Sequence, residues 1–96
     1  MALDEKSEID LQTGWIKWRT VKVILQTPRL LICEVNVENL SKYTPSGIVK
    51  VTLGEKELTE TTFKFWLKPS SIENLRLSKD LSIECTKIVN IIVDEE

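Results

Sequence analysis

Apolar and polar side chains alternate through most of the chain, at the period of a strand rather than a helix. The cleanest run is 29–38. Leu31, Cys33, Val35 and Val37 share one parity, and Glu34, Asn36 and Glu38 the other. Such a strand has one buried and one wetted face. A hairpin follows a loop at 39–47 that contains Tyr43, Pro45 and Gly47. Val49, Val51 and Leu53 alternate with Lys50 and Thr52, and Gly54-Glu55-Lys56 supplies the turn. On the return from Leu58 to Lys68, Phe63, Phe65 and Leu67 point inward while Lys64, Trp66 and Lys68 point outward. Pro69 ends the run, because proline cannot donate to a ladder.

The remaining segments are less regular. From Trp15 to Gln26 the residues favour a strand, yet the parity changes near Arg19-Thr20. Val21, Val23 and Leu25 share one face, and Ile16 and Trp18 the other. A β-bulge at Arg19-Thr20 returns both sets to one core; without it, one set faces solvent or a partner. Thr27-Pro28 marks the next turn. Over 70–77, Ser70 and Glu73 fit a helical capping box, whereas Leu75 and Leu77 alternate as in a strand, and the strand is the favoured reading. Ser78-Lys79-Asp80 reads as a turn. Leu81, Ile83 and Cys85 then resume alternation, and the β-branched run Ile88 to Val93 closes the pattern.

Six or seven short strands, with turn signals about every ten residues and no long helical pattern, predict an all-β sandwich or small barrel. Residues 1–13 are mostly polar, with isolated Leu3, Ile9 and Leu11, and read as a mobile acidic arm, the alternative being that it joins the sheet near its end. The predicted organisation is an arm at 1–13, a β-sandwich domain at 14–93 and an acidic tail at 94–96.

Length limits what this fold can hold. A 96-residue chain is one domain. It buries roughly 60–68% of the surface its unfolded form exposes, enough for one modest core. No apolar run approaches the roughly 20 residues of a membrane span. The start is acidic and polar rather than basic then apolar, which predicts a cytoplasmic chain. Net charge is −2, but acids crowd the two ends; residues 11–93 carry a net +4, and 11–33 carry no acid.

The chemical inventory argues against an enzyme. Histidine is absent, which removes imidazole bases and histidine-paired nucleophiles. The glycines Gly14, Gly47 and Gly54 are scattered and form no phosphate loop. Cys33 and Cys85 sit in apolar runs and read as two buried thiols, the alternative being one bridge between sheets. Two cysteines without histidine cannot complete a tetrahedral metal set. No cofactor or metal is expected.

The candidate binding residues are Trp15, Lys17, Trp18, Arg19, Lys22 and Trp66. The stretch Gly14 to Lys22 interleaves two indoles with three cations, the combination that single-stranded nucleic acid sites use. The competing reading packs tryptophan into the core and lays cation stems over its edge. Trp66 lies between Lys64 and Lys68 on an outward parity, as an interface anchor would.

Three motifs carry a family likeness. They are Glu34-Val35-Asn36-Val37-Glu38-Asn39, the run Ser46-Gly47-Ile48-Val49-Lys50-Val51-Thr52-Leu53, and Phe63-Lys64-Phe65-Trp66-Leu67-Lys68-Pro69. Leu31 to Val93 resembles immunoglobulin-like sandwich modules of the CARDB and fibronectin type III kind. It departs from them after the proline, where Ser70-Ser71 replaces the usual glycine. The resemblance implies a module that binds proteins or acts as a spacer, and carries over no catalytic residue.

The expected molecule is an immunoglobulin-like β-sandwich, with an OB-type barrel as the alternative. Its expected role is a non-enzymatic interaction or assembly module for a protein partner or a second copy. Self-association would use the edge strands, for which Trp15–Leu25 and Ile88–Val93 are the candidates. The alternatives are single-stranded nucleic acid binding and a structural subunit of a virus or appendage.

Overall fold

In a computed structural model describing residues 1–96, seven strands follow one another: β1 (Asp4–Thr13), β2 (Ile16–Thr27), β3 (Leu30–Asn39), β4 (Ser46–Gly54), β5 (Leu58–Trp66), β6 (Ile72–Asp80) and β7 (Lys87–Glu95). They form two antiparallel sheets. One has the order β1-β2-β3-β6 and the other β5-β4-β7. The inward parity of each strand meets its counterpart between the sheets, where Val21, Val23, Leu25, Leu31, Cys33, Val35, Val37, Val49, Val51, Leu53, Phe63 and Phe65 are buried together. The architecture is an all-β sandwich.

The parity change in β2 is resolved by a bulge. Trp18 pairs with Val37 but Thr20 with Asn36, so Arg19 is the extra residue against β3. Ile16 and Trp18 are thereby returned to the side of Val21, Val23 and Leu25, and all five are buried. β1 follows the same bend. Its Asp10 lies opposite Arg19 and adopts φ 55, a left-handed conformation that aspartate tolerates better than most residues.

Three expectations are corrected. Residues 4–13, read as a free arm, pair with β2 from Asp4↔Leu25 to Thr13↔Ile16. Backbone pairing recruits this segment more than core burial does. β2 would otherwise present unpaired N–H and C=O groups, and Asp4, Lys6 and Glu8 take the inward parity at the rim. The segment 94–96, read as a tail, continues β7: Glu95 pairs with Gly47, and the Glu96 N–H donates to the Ser46 carbonyl at 3.0 Å. Ser78-Lys79-Asp80 is no turn, because β6 pairs with β3 as far as Leu30↔Asp80.

Residues 81–86, which alternate like a strand, instead cross between the sheets. The Leu81 N–H donates to the Arg29 carbonyl (2.7 Å) and the Cys85 N–H to the Pro28 carbonyl (2.9 Å), so the β2–β3 turn accommodates backbone that a neighbouring strand would have paired. Cys85 is drawn into the core and Ile83 is left exposed.

The edges also differ from expectation. β2 lies between β1 and β3 and is no edge, whereas β7 is bonded only to β4 and is one. Both cysteines are buried free thiols.

Candidate interaction surfaces

The basic-aromatic stretch does not form one surface. Trp18 is corrected from contact residue to core: it is 0% exposed, stacks edge-to-face on Phe65 at 5.6 Å and donates its indole N–H to Thr13 Oγ1 at 2.6 Å. That satisfies the one polar group the indole must bury. Trp15 occupies the β1–β2 turn and is 57% exposed. Lys17, Arg19 and Lys22 leave the core side of β2, and two of them meet acids. Arg19 lies 4.0 Å from Glu38, and Lys22 lies 3.7 Å from Glu5. Exposed pairs of this kind add little stability, but they neutralise the positive stripe locally. Trp66 lies on the other sheet, 62% exposed, with the Lys64 ammonium 5.2 Å from its ring centre.

Trp15 and Trp66 nevertheless share one end of the sandwich. That pole is made by the β1–β2 turn, the loop 40–45, the link 67–71 and the end of β7. Gly14 opens the turn at φ 54, a conformation that suits glycine first in a two-residue hairpin loop. The Trp15 N–H donates to Glu95 Oε1 at 2.8 Å, and its carbonyl accepts the Leu40 N–H at 2.8 Å. Leu40, Tyr43 and Ile72 are also exposed there, Tyr43 at 78%.

Asn39 holds these loops in place. It ends β3 on the inward parity and is buried. Its amide nitrogen donates to the carbonyls of Tyr43 (2.6 Å) and Lys68 (3.0 Å). Its amide oxygen accepts from the Ser41 N–H (2.9 Å) and the Ser41 hydroxyl (2.8 Å). Every donor and acceptor site of the side chain is used. Ser70, at φ 50, donates its N–H to the Ser41 carbonyl at 2.9 Å and ties the two loops together. Sequence reasoning missed Tyr43, Leu40 and Asn39. The signal for Asn39 was present: it continues the inward series Leu31, Cys33, Val35, Val37 as a polar residue directly before a loop.

A second feature lies on the outer face of the four-stranded sheet. It is a shallow concavity of about 570 Å³ bordered by Glu5, Ile9, Lys22, Glu34 and Arg76. Its charges are largely matched internally, with Arg76 3.3 Å from Glu34. Asn36 donates to Asn74 Oδ1 at 2.7 Å, and the Asn36 amide oxygen has no partner.

Burial, with a smaller push from Glu34, raises the Cys33 thiol to about 12, so it stays a neutral thiol at physiological pH. No three His, Cys, Asp or Glu side chains gather as metal ligands would. No helix is long and apolar enough to cross a membrane. Comparison with protein-family models, with curated proteins and with solved structures finds no match.

Proposed function

We propose that this domain is a non-enzymatic interaction module that holds a protein partner at its aromatic pole. One observation carries the reading: Trp15, Tyr43 and Trp66 are exposed on turns and strand ends that the buried Asn39 and the end of β7 fix in place. Tryptophan and tyrosine are the residues most enriched where binding energy concentrates. Loops already ordered in the free protein lose less entropy on binding.

The strand order supports an immunoglobulin-like assignment. In immunoglobulin sandwiches the second and fifth strands pair in one sheet, and the third and sixth in the other. With β1 set apart as an added strand, β3–β6 and β4–β7 are those pairs, and β5 takes the place variable-type domains add beside the third strand.

The test compares capture of a partner by the native protein, by Trp66→Ala and by a Trp15→Ser/Tyr43→Ser/Trp66→Ser variant. A Glu5→Ser/Lys22→Ser variant, on the outer face of the four-stranded sheet away from the pole, is the control. Trp66→Ala is expected to weaken binding by about 30-fold. The triple variant is expected to abolish it and the control to leave it unchanged. A partner held equally by all variants would overturn the assignment. A salt-sensitive complex with a mixed-sequence single-stranded oligonucleotide, lost in Trp15→Ala, would establish the nucleic acid reading instead.

A further inference from the structure

The two sheets have four edges, and three are obstructed. β1 is interrupted by the left-handed Asp10 and turns Asp4, Lys6 and Glu8 toward the sandwich rim. β7 lies against β1, and its Ile88 N–H is taken by Asp4 Oδ2 at 2.7 Å. β5 has its outward Thr62 carbonyl occupied by the Lys79 ammonium. Inward charges, bulges and side-chain caps of this sort are how sheet edges avoid pairing with other chains.

β6 differs. The Asn39 N–H bonds to the Ser71 carbonyl, and the Leu81 N–H to the Arg29 carbonyl, so odd-numbered residues of this segment face β3. The N–H and C=O groups of Ile72, Asn74, Arg76, Ser78 and Asp80 therefore point away from the sheet. From 72 to 80 the strand has no proline, no left-handed residue and no register shift. No side chain caps those outward groups.

We infer that β6 pairs antiparallel with β6 of a second copy, about a two-fold axis at Arg76, to form a continuous eight-stranded sheet across a dimer. The occupant follows from the strand's self-complementarity. With Arg76 opposite Arg76 of the second copy, Ile72 meets Asp80, Asn74 meets Ser78, Leu75 meets Leu77, and Glu73 meets Lys79, each twice by symmetry. The five even-numbered positions form hydrogen-bonded pairs, about ten backbone bonds in all. Opposite charges and apolar pairs facing one another both favour this register. A shift by two residues loses an end pair and separates Glu73 from Lys79. The one like-charge contact, Arg76 with its copy, is flanked on each side by a Glu34 carboxylate 3.3 Å from its own arginine. Because the other edges are obstructed, the pairing closes as a dimer and does not propagate into a filament. This surface touches the aromatic pole only at Ile72, and Trp15, Tyr43 and Trp66 all lie off β6, so either assignment can fail alone.

Sedimentation velocity of the full chain from about 1 µM to 1 mM tests the pairing. A reversible dimer is expected. Glu73→Lys places two like-charge pairs across the axis and is expected to weaken the dimer about tenfold or more. Glu73→Lys/Lys79→Glu is expected to restore it. That rescue separates an intermolecular role from an internal one, because the exchange rebuilds neither the bonds of Glu73 to Lys68 and Ser71 nor that of Lys79 to the Thr62 carbonyl, for which Lys79→Glu alone is the control. Ser78→Pro removes an outward N–H while leaving the β3 ladder its donors, and is expected to give a monomer. Arg76→Cys is expected to form a disulfide-linked dimer under mild oxidation, since a hydrogen-bonded pair spaces Cα atoms about 5.5 Å apart. The native thiols are buried and give little background. A native protein that is monomeric throughout would overturn the inference. So would an oligomer that persists in Ser78→Pro, or one that the charge exchange fails to restore.

Discussion

β2 and β5 each carry a tryptophan near cations, Lys17-Trp18-Arg19 in one and Lys64-Phe65-Trp66 in the other, with Lys68 just beyond its end. The two indoles end up on opposite sides of their sheets. Trp18 is wholly buried against Phe65, and Trp66 stands in solvent beside Lys64. Composition does not separate them; parity does. In β5 the alternation is unbroken, so Phe63 and Phe65 claim the core and Trp66 is left outside. In β2 the bulge at Arg19 inserts one residue, and Trp18 is turned inward along with Ile16. A tryptophan among lysines and arginines is a binding residue only if the strand's register leaves it outside.

The sharpest way to break this comparison is to truncate both indoles. Trp18→Ala is expected to destabilise the fold by about 3–5 kcal/mol, through lost burial and the cavity left against Phe65. Trp66→Ala is expected to change stability by no more than about 0.5 kcal/mol. Urea unfolding with a shared m-value would measure both. Equal losses would mean that Trp66 is also structural.

A second inward group sharpens the point through pH. Cys33 faces the core between the neighbouring strands, paired with Val23 and Leu77, and burial raises its thiol from 9.0 to about 12. The folded state therefore holds the thiol proton more tightly than the unfolded state. The stability this confers is fully present below about pH 9 and is lost as pH rises toward 12. At pH 11 the native protein is expected to have lost about 3 kcal/mol relative to its own value at pH 8, over and above the change in Cys33→Ala. Identical alkaline profiles for the two proteins would show that the thiol is not held neutral by the fold.

Asn36 and Asn39 extend the comparison along one strand. Asn39 points inward and joins loops 40–45 and 67–71, while Asn36 points outward to Asn74. Asn39→Ala strands the Tyr43 and Lys68 carbonyls and the Ser41 N–H, and is expected to cost about 2–3 kcal/mol. Amide exchange of residues 40–45 and 68–71 should quicken with it. Asn36→Ala is expected to cost about 0.5–1 kcal/mol, because it also removes an amide oxygen that has no partner. If both variants lost the same stability with no local change in exchange, Asn39 would not be what orders the pole.

What was legible in the chain followed the same division. In β3, β4 and β5 the inward residues fall where their parity predicts, although Ile32 on the outward side of β3 is also buried, opposite Ile24. The bulge in β2 was legible as one of two readings, because Ile16 and Trp18 fall on the opposite parity from Val21, Val23 and Leu25. β1 was not, since Asp4, Lys6 and Glu8 occupy its inward positions at a rim where charge reaches water. Residues 81–85 misled in the other direction: their alternation is real, but their backbone partners lie in the β2–β3 turn. Of the candidate contact residues, Trp15 and Trp66 are exposed and Trp18 is not. Strand order, and with it the interior place of β2 and the free edge of β6, depends on pairings between segments far apart in sequence. Local pattern carries no record of those pairings.

The smallest expected effect compares two turns of the same pole. Gly14 and Ser70 both adopt left-handed backbone, at φ 54 and φ 50. Glycine enters that region without cost, whereas a side chain crowds the carbonyl beyond it by about 1 kcal/mol. Ser70 offsets part of that strain. Its N–H donates to the Ser41 carbonyl at 2.9 Å and its hydroxyl to the same oxygen at 3.2 Å. Ser70→Gly keeps the first bond, gives up the weaker second one and relieves the strain. It also adds freedom to the unfolded chain, so the net gain is expected to be about 0.5 kcal/mol, or about 2–4 °C in the thermal midpoint. Gly14→Ser should move the midpoint down by a similar or larger step, because a Cβ there would also meet the Glu95 carboxylate that holds the Trp15 N–H. Opposite signs for the two substitutions would show that backbone conformation sets which residue each turn prefers. A loss in both would mean that the Ser70 hydroxyl bond outweighs the strain, and that this serine is chosen for its contact with Ser41.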